Sequence, residues 1–93
     1  MSLEEIGYLL RITREELGRT IADAASATKI SRRFLLDMEK GEFSKLGEKV
    51  YVMGFTKTYA KYLGLYEKNI TEMVRKNHSE YEDSKLQIYK TGR

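Results

Sequence analysis

Apolar residues recur at helical spacing near the N-terminus, and the flanking residues match the usual signals for the ends of a helix. Ile6, Leu9, Leu10 and Leu17 follow this spacing. Ser2 followed by Glu5 matches a capping box, in which each residue binds a backbone N–H of the other. Gly18 stands where a helix favours a left-handed residue after its last turn. The pattern therefore predicts a first helix over about residues 3–17.

The same signals recur along the chain. Thr20 and Asp23 repeat the start signal, Ser31 is a good N-cap, and Gly41 and Gly64 stand at predicted helix ends. The predicted helices cover residues 3–17, 21–27, 32–40, about 48–63 and about 67–76. No segment alternates polar and apolar residues with a period of two, so no strand is predicted. The expected fold class is all-α, with five helices.

Apolar residues in one loop and in the fifth helix complete the predicted core. The loop over residues 42–47 carries Phe43 and Leu46, which we expect to point inward. In the fifth helix, Ile70, Met73 and Val74 share one face. These residues give a chain of 93 residues enough apolar surface for one modest core, and therefore for one domain.

The fourth predicted helix has two apolar faces. At 100° per residue, one arc of about 100° has the width of a core-facing stripe; it holds Val52, Thr56, Tyr59, Ala60 and Leu63. An adjacent arc, rotated by roughly a quarter turn, holds Tyr51, Phe55, Thr58 and Tyr62, with Lys57 and Lys61 beyond it. Either the whole wide stripe is core, or Tyr51 and Phe55 form an exposed aromatic anchor for another protein. The second interpretation predicts that both of these residues are accessible.

Gly54 lies between Tyr51 and Phe55 on the same helix. A glycine inside a helix costs about 1 kcal/mol relative to alanine. Two explanations are open: the glycine lets the backbone of a partner come close, or it accommodates packing against the first helix.

Composition narrows the possible functions. Cysteine is absent, which excludes disulfides and thiolate metal sites. The net charge is +3, with both signs interspersed, which is a weak hint of a nucleic-acid or anionic partner. The longest apolar run, residues 50–55, is far short of the roughly 20 residues that span a bilayer. No signal peptide is visible, so we expect a soluble cytoplasmic polypeptide, or such a piece of a longer protein.

No pattern indicates an enzyme. The single histidine, His78, falls at the end of the fifth helix without a nucleophile partner, where interaction with the helix dipole is the simpler expectation. The carboxylate clusters at residues 4–5, 15–16 and 80–83 have no pocket signature. We expect no catalysis, no cofactor and no metal. After His78 the sequence becomes polar and loses periodicity, which predicts either a frayed tail over residues 79–93 or a docked extension through Leu86, Ile88 and Tyr89.

The second and third helices, joined by a tight turn, form a helix-turn-helix pattern. Its expected buried positions are Ala25, Ile30, Leu35 and Met38. Residues 2–78 resemble the five-helix, phage-repressor-like fold, whose third helix enters the major groove of DNA. The resemblance implies that Ser31, Arg32 and Arg33 could contact phosphates or guanine edges.

Three residues argue against sequence-specific DNA binding. Lys29 occupies a turn position where glycine is frequent, and Leu36 stands where a base-reading polar side chain is usual. Asp37 is expected to face the phosphates and repel them. Arg32 and Arg33 also have a simpler explanation, as solvated cap residues that pair with Asp37 or Glu39. DNA binding is therefore the alternative interpretation.

A more specific resemblance rests on three segments: Ala27–Leu35 (ATKISRRFL), Glu39–Phe43 (EKGEF) and Tyr51–Leu65, with its YVMGF and YAKYLGL runs. These segments resemble the cytoplasmic domain of the RodZ family of bacterial cell-shape proteins, over about four fifths of the chain. The YxxGF…YAKYLGL run is the most specific part. Prolines usual in the family before the fourth helix are replaced here by Leu46-Gly47-Glu48, which predicts a different path into that helix.

The RodZ resemblance implies a single-pass inner-membrane protein whose cytoplasmic domain binds the actin-like protein MreB. It implies that the aromatic residues of the fourth helix make the contact, here Tyr51 and Phe55. The expected contact surface also includes Gly54, Lys57, Thr58, Lys61 and Tyr62. Residues 79–93 would then lead toward a membrane segment outside this chain. We expect a protein-binding module rather than a DNA-binding regulator.

Overall fold

The computed structural model describes residues 1–77, and in this range all regular structure is helical. The helices are α1 (Leu3–Glu16), α2 (Ile21–Thr28), α3 (Arg32–Glu39), α4 (Lys49–Tyr62) and α5, which is helical from residue 67 to residue 77. A short 3₁₀ helix, Phe43–Leu46, lies in the predicted loop between α3 and α4. The all-α, five-helix prediction is confirmed. The predictions for His78 and for residues 79–93 lie outside the described residues.

Local capping explains where the first three helices begin. Both predicted capping boxes form: Ser2 with Glu5 at α1, and Thr20 with Asp23 at α2. The hydroxyl of Ser31 accepts a hydrogen bond from the N–H of Phe34 at 3.2 Å and caps α3. These side chains satisfy backbone N–H groups that have no partner within the first turn of a helix. The observed helix bounds accordingly agree with the predicted ones to within one residue.

A single core lies between the helices. It is formed by apolar residues from every helix and from the 3₁₀ segment, and its largest fully buried members are Tyr59, Phe43, Ile6, Leu10, Leu35 and Met38. The expected core arc of α4 is confirmed, since Val52, Thr56, Tyr59, Ala60 and Leu63 are all buried. In α2 the prediction was wrong by one position: Ala24 is fully buried and Ala25 only partly so.

Glycine allows α1 to approach the C-terminal end of α3 closely. A Cβ on Gly7 would lie 2.5 Å from the carbonyl oxygen of Met38 and 2.7 Å from that of Glu39. A Cβ on Gly41 would lie 2.7 Å from the Cα of Glu4. Because all these neighbours are backbone atoms, they cannot turn aside as a flexible side chain could. The close approach fixes α1 against the helix-turn-helix pair.

Candidate binding surfaces

The outer face of α4 exposes apolar side chains that the core does not use. Val50 is 69% exposed and Tyr51 is 58% exposed. One to three turns further on, Gly54, Lys57, Thr58 and Lys61 are also exposed. Single exposed apolar side chains are common on protein surfaces, whereas adjacent ones that form a patch mark a candidate interface. The predicted accessibility of Tyr51 is therefore confirmed.

The predicted accessibility of Phe55 is wrong. Phe55 is only partly exposed, because its ring packs against Phe34 of α3 with centroids 5.4 Å apart and an interplanar angle of 47°. Tilted pairs at this distance are a favourable arrangement of two aromatic quadrupoles. Phe55 thus joins α3 to α4 and presents only part of its ring to the outer face of α4.

Tyr62 is also largely committed to the fold. The guanidinium of Arg19 lies 4.6 Å from the centroid of its ring, and Nη1 of Arg19 donates a hydrogen bond to the carbonyl oxygen of Tyr62 at 2.9 Å. This contact joins the α1–α2 connection to the end of α4. Of the three aromatic residues assigned to the predicted contact surface, only Tyr51 is mainly solvent-facing.

Two shallow depressions flank the middle of α4, and Gly54 lines both. The first lies against the turn of the helix-turn-helix and is lined by Thr28, Lys29, Ile30, Val50, Tyr51, Gly54, Phe55 and Thr58. The second lies against α5 and is lined by Met53, Gly54, Lys57, Thr71, Glu72 and Arg75. A Cβ added to Gly54 would meet no atom within 4 Å. Packing against α1 is therefore not the reason for this glycine.

The exposed face of α3 differs from the sequence expectation in two respects. Lys29 adopts the left-handed conformation itself, with φ of 64° and ψ of 21°, so the turn forms without glycine. Asp37 is buried, with 7% exposure. Its negative charge interacts with Lys45 of the 3₁₀ segment. The pKa of Lys45 is raised chiefly by its ion pair with Glu42 and additionally by Asp37. The expectation that Asp37 faces a bound phosphate was wrong, because its side chain is buried.

Arg32 and Arg33 are exposed at the start of α3, and Leu36 is 42% exposed one turn later. The suggested pairing of either arginine with Glu39 is wrong, because Glu39 is buried and binds Arg14 instead. The predicted DNA-binding residues Arg32 and Arg33 are thus available to a ligand. The hydroxyl of Ser31 is occupied as the cap of α3.

A buried polar cluster was missed from the sequence. Arg14 of α1 donates from Nε and Nη2 to the two carboxylate oxygens of Glu39 in α3, at 2.7 and 3.0 Å. The hydroxyl of Tyr59 in α4 donates to Oε2 of Glu39 at 2.5 Å. Nη1 of Arg14 also donates to the carbonyl oxygen of Arg19 at 2.9 Å. Sequence spacing could not reveal these partners, since Arg14 and Glu39 stand 25 positions apart.

Comparison with known proteins agrees with this architecture. The family model of a helix-turn-helix domain matches residues 9–70, two thirds of the chain. The chain belongs to this helix-turn-helix domain family. Neither the search of curated proteins nor the search of solved structures gave a match. Helix-turn-helix domains are nucleic-acid-binding or protein-binding modules and are typically not enzymes.

Two further properties of the described region bear on its surfaces. Within residues 1–77, no group of three or more histidine, cysteine, aspartate or glutamate side chains is placed to hold a metal ion. No helix in this region combines the length and apolarity that a membrane crossing requires. The candidate sites that the exposed side chains define are two surfaces: the outer face of α4 and the exposed face of α3.

Proposed function

We propose that this domain is a non-catalytic protein-binding module whose partner contacts the outer face of α4. The observation that carries the proposal is the exposure of Tyr51 and Val50 beside Gly54, in a helix whose other face is fully buried. Tyrosine is one of the side chains that most often dominate the binding energy of an interface. The exposed fraction of Tyr51 is not needed by the fold, which leaves it available to a partner.

The proposed partner is the actin-like protein MreB. The support is the resemblance of the YxxGF…YAKYLGL run to the RodZ family, in which aromatic residues of this helix contact MreB. The domain would link MreB filaments to the membrane and to the wall-elongation machinery, and so help to maintain rod shape. It would do so as the cytoplasmic part of a single-pass inner-membrane protein.

Charge supports a protein partner with an acidic surface. Residues 49–62 include three lysines and no acidic residue. Among the described residues, Lys57 and Lys61 are exposed and no carboxylate lies within ion-pair distance of them. Such charges at the rim of an interface act mainly on association rate and salt sensitivity.

The test is co-sedimentation of the purified domain with polymerised MreB. Tyr51→Ala should weaken binding by about 2 kcal/mol or more, roughly thirtyfold, if Tyr51 is the hot spot. Its melting temperature should change little, because surface substitutions usually alter stability by no more than about 0.5 kcal/mol. Tyr66→Ala is the matched control, since Tyr66 is 76% exposed just beyond α4. Unchanged binding by Tyr51→Ala, or no binding by the wild type, would contradict the proposal.

DNA binding through α3 is the second candidate. It is favoured by the inward position of Asp37 and by the left-handed conformation of Lys29, which together remove two of the three objections raised by the sequence. Leu36 remains at a reading position, and its only contact with a base would be apolar, as with a thymine methyl. We therefore rank DNA second.

The two candidates are separated by titrating the same preparation with duplex DNA at several salt concentrations. Phosphate contacts alone give dissociation constants of roughly 10⁻⁴–10⁻⁶ M at physiological salt, with a steep salt dependence. We expect binding of this weak kind. A sub-micromolar complex with one defined DNA site, lost on Arg32→Ala, would show that DNA is the partner.

A further inference from the structure

Gly54 leaves an unfilled position in the middle of the exposed face of α4. In α1, the close approach of α3 explains Gly7, whereas a Cβ on Gly54 would meet nothing within 4 Å. Glycine inside a helix is less favourable than alanine. Positions where a sequence departs from local preference without a gain inside the fold are expected at functional sites.

Exposed side chains precede and follow Gly54 along α4. Val50 and Tyr51 project on one side along the helix, and Lys57 and Thr58 project on the other, all of them exposed. Across the helix, the depression against the helix-turn-helix turn and the depression against α5 both reach Gly54. Gly54 therefore lies between two depressions, one on each side of α4.

We infer that a helix of the bound partner crosses α4 at Gly54, with an apolar residue of that helix against Tyr51 and acidic residues facing Lys57 and Lys61. The inference rests on the proposed protein-binding function. Small residues at a crossing point let two helix backbones approach below the usual 8–10 Å between axes. The lysines of α4, with no acidic residue between positions 49 and 62, complement an acidic rim.

The test is a series of side chains of increasing size at position 54, measured for thermal stability and for co-sedimentation with polymerised MreB. Gly54→Ala and Gly54→Leu should fold as well as the wild type, because the position is open. Binding should weaken a few-fold for Gly54→Ala and at least tenfold for Gly54→Leu. Ala22→Leu is the control for added bulk, since Ala22 is exposed in α2 and lines neither depression.

The outcomes separate this inference from the proposed function. If the wild type binds MreB and both Gly54 variants bind equally well, the crossing at Gly54 is wrong while α4 can still be the interface. If the wild type does not co-sediment, the proposed function and the inference fall together. A loss of duplex-DNA binding in Gly54→Leu, without any effect on MreB, would also overturn the inference.

Discussion

The hydroxyl of Tyr59 in α4 donates a hydrogen bond at 2.5 Å to Glu39 in α3, whose carboxylate also accepts hydrogen bonds from Nε and Nη2 of Arg14 in α1. Burial, together with the bond to Glu39, raises the pKa of Tyr59 far above its ordinary value of 10.0, so the hydroxyl keeps its proton. Three helices thus meet at one carboxylate. The cluster therefore joins α4 to both α1 and α3.

Removing the hydroxyl of Tyr59 should destabilise the domain without emptying the core. Tyr59→Phe leaves Glu39 with Arg14 alone, and hydrogen bonds to charged groups contribute about 1.5–3 kcal/mol. Tyr59→Ala should cost more, about 3–5 kcal/mol, because it also leaves a cavity. Urea unfolding measures both. Tyr66→Phe, at an exposed position, is the control, and a similar loss there would show that the effect does not come from the buried cluster.

Two arginines of α1 should differ greatly in their contribution to stability. Arg14→Ala leaves the buried carboxylate of Glu39 without its cation, and breaking a buried pair in this way costs about 3–5 kcal/mol. Arg11→Ala breaks an exposed pair with Glu15, at 3.9 Å, and a contact with the Tyr8 ring, whose centroid lies 5.7 Å from the guanidinium; together we expect these to contribute about 1 kcal/mol. Chemical denaturation of the two variants provides the comparison. Equal losses would contradict the assignment of Arg14 as the structural arginine.

The same substitution at two helical glycines should have opposite effects. Gly7→Ala would push a Cβ into backbone carbonyl oxygens of α3, and overpacking of this kind typically costs about 1–3 kcal/mol. Gly54→Ala meets open space and should stabilise the domain by about 0.5–1 kcal/mol. Melting temperatures of both variants test this expectation. A destabilised Gly54→Ala would mean that residue 54 is packed, contrary to its exposed position.

The two capping boxes should make the stability of the domain depend on pH in the acidic range. The N–H of Thr20 donates to Asp23 at 2.9 Å and lowers the pKa of Asp23 below its ordinary value of 3.8; the N–H of Ser2 acts likewise on Glu5. Because the pKa is lowered in the folded state, the ionised carboxylate stabilises the fold at pH values above the pKa that it has in the unfolded chain. This contribution to stability is lost as the pH falls through the pKa of the folded state.

The difference in melting temperature between the wild type and Asp23→Asn measures this contribution. It should be largest near neutral pH, begin to shrink as the pH falls below 3.8, and vanish as the pH falls through the lower pKa of the folded state, where Asp23 becomes a neutral group like asparagine. Glu5→Gln should behave in the same way around its ordinary value of 4.5. A difference that stays constant with pH would show that the charge of Asp23 makes no contribution.

Alanine substitutions of Phe55 and Tyr51 should affect stability and binding differently. Phe55→Ala removes the ring that packs on Phe34, so it should lower both the melting temperature and the affinity for MreB filaments. Tyr51→Ala should lower the affinity alone. Measuring both quantities for each variant, with Phe34→Ala as a control for the lost ring contact, tests the division. If Phe55→Ala folds and binds MreB filaments with wild-type affinity, then Tyr51 makes the contact and Phe55 does not contribute to it.

Local patterns were sufficient to predict where the helices begin and end. The Ser2–Glu5 and Thr20–Asp23 boxes and the N-cap Ser31 act within three residues along the chain, so their partners can be read directly from spacing. The core arc of α4 was also predictable, because helical periodicity alone determines which residues share a face. The helix-turn-helix class follows from these elements and their short connections.

Periodicity did not predict the burial and the contacts of several residues, and these were decided only by the tertiary structure. Asp37, Glu39 and Phe55 stand at positions that periodicity leaves open. In the fold Asp37 is buried, Glu39 binds Arg14 of α1, and the ring of Phe55 packs on Phe34 of α3. The roles of Gly7 and Gly54 are opposite, although both are glycines inside helices. A sequence records the period of each helix, but the neighbour that covers a given face is set by contacts between residues far apart in the chain.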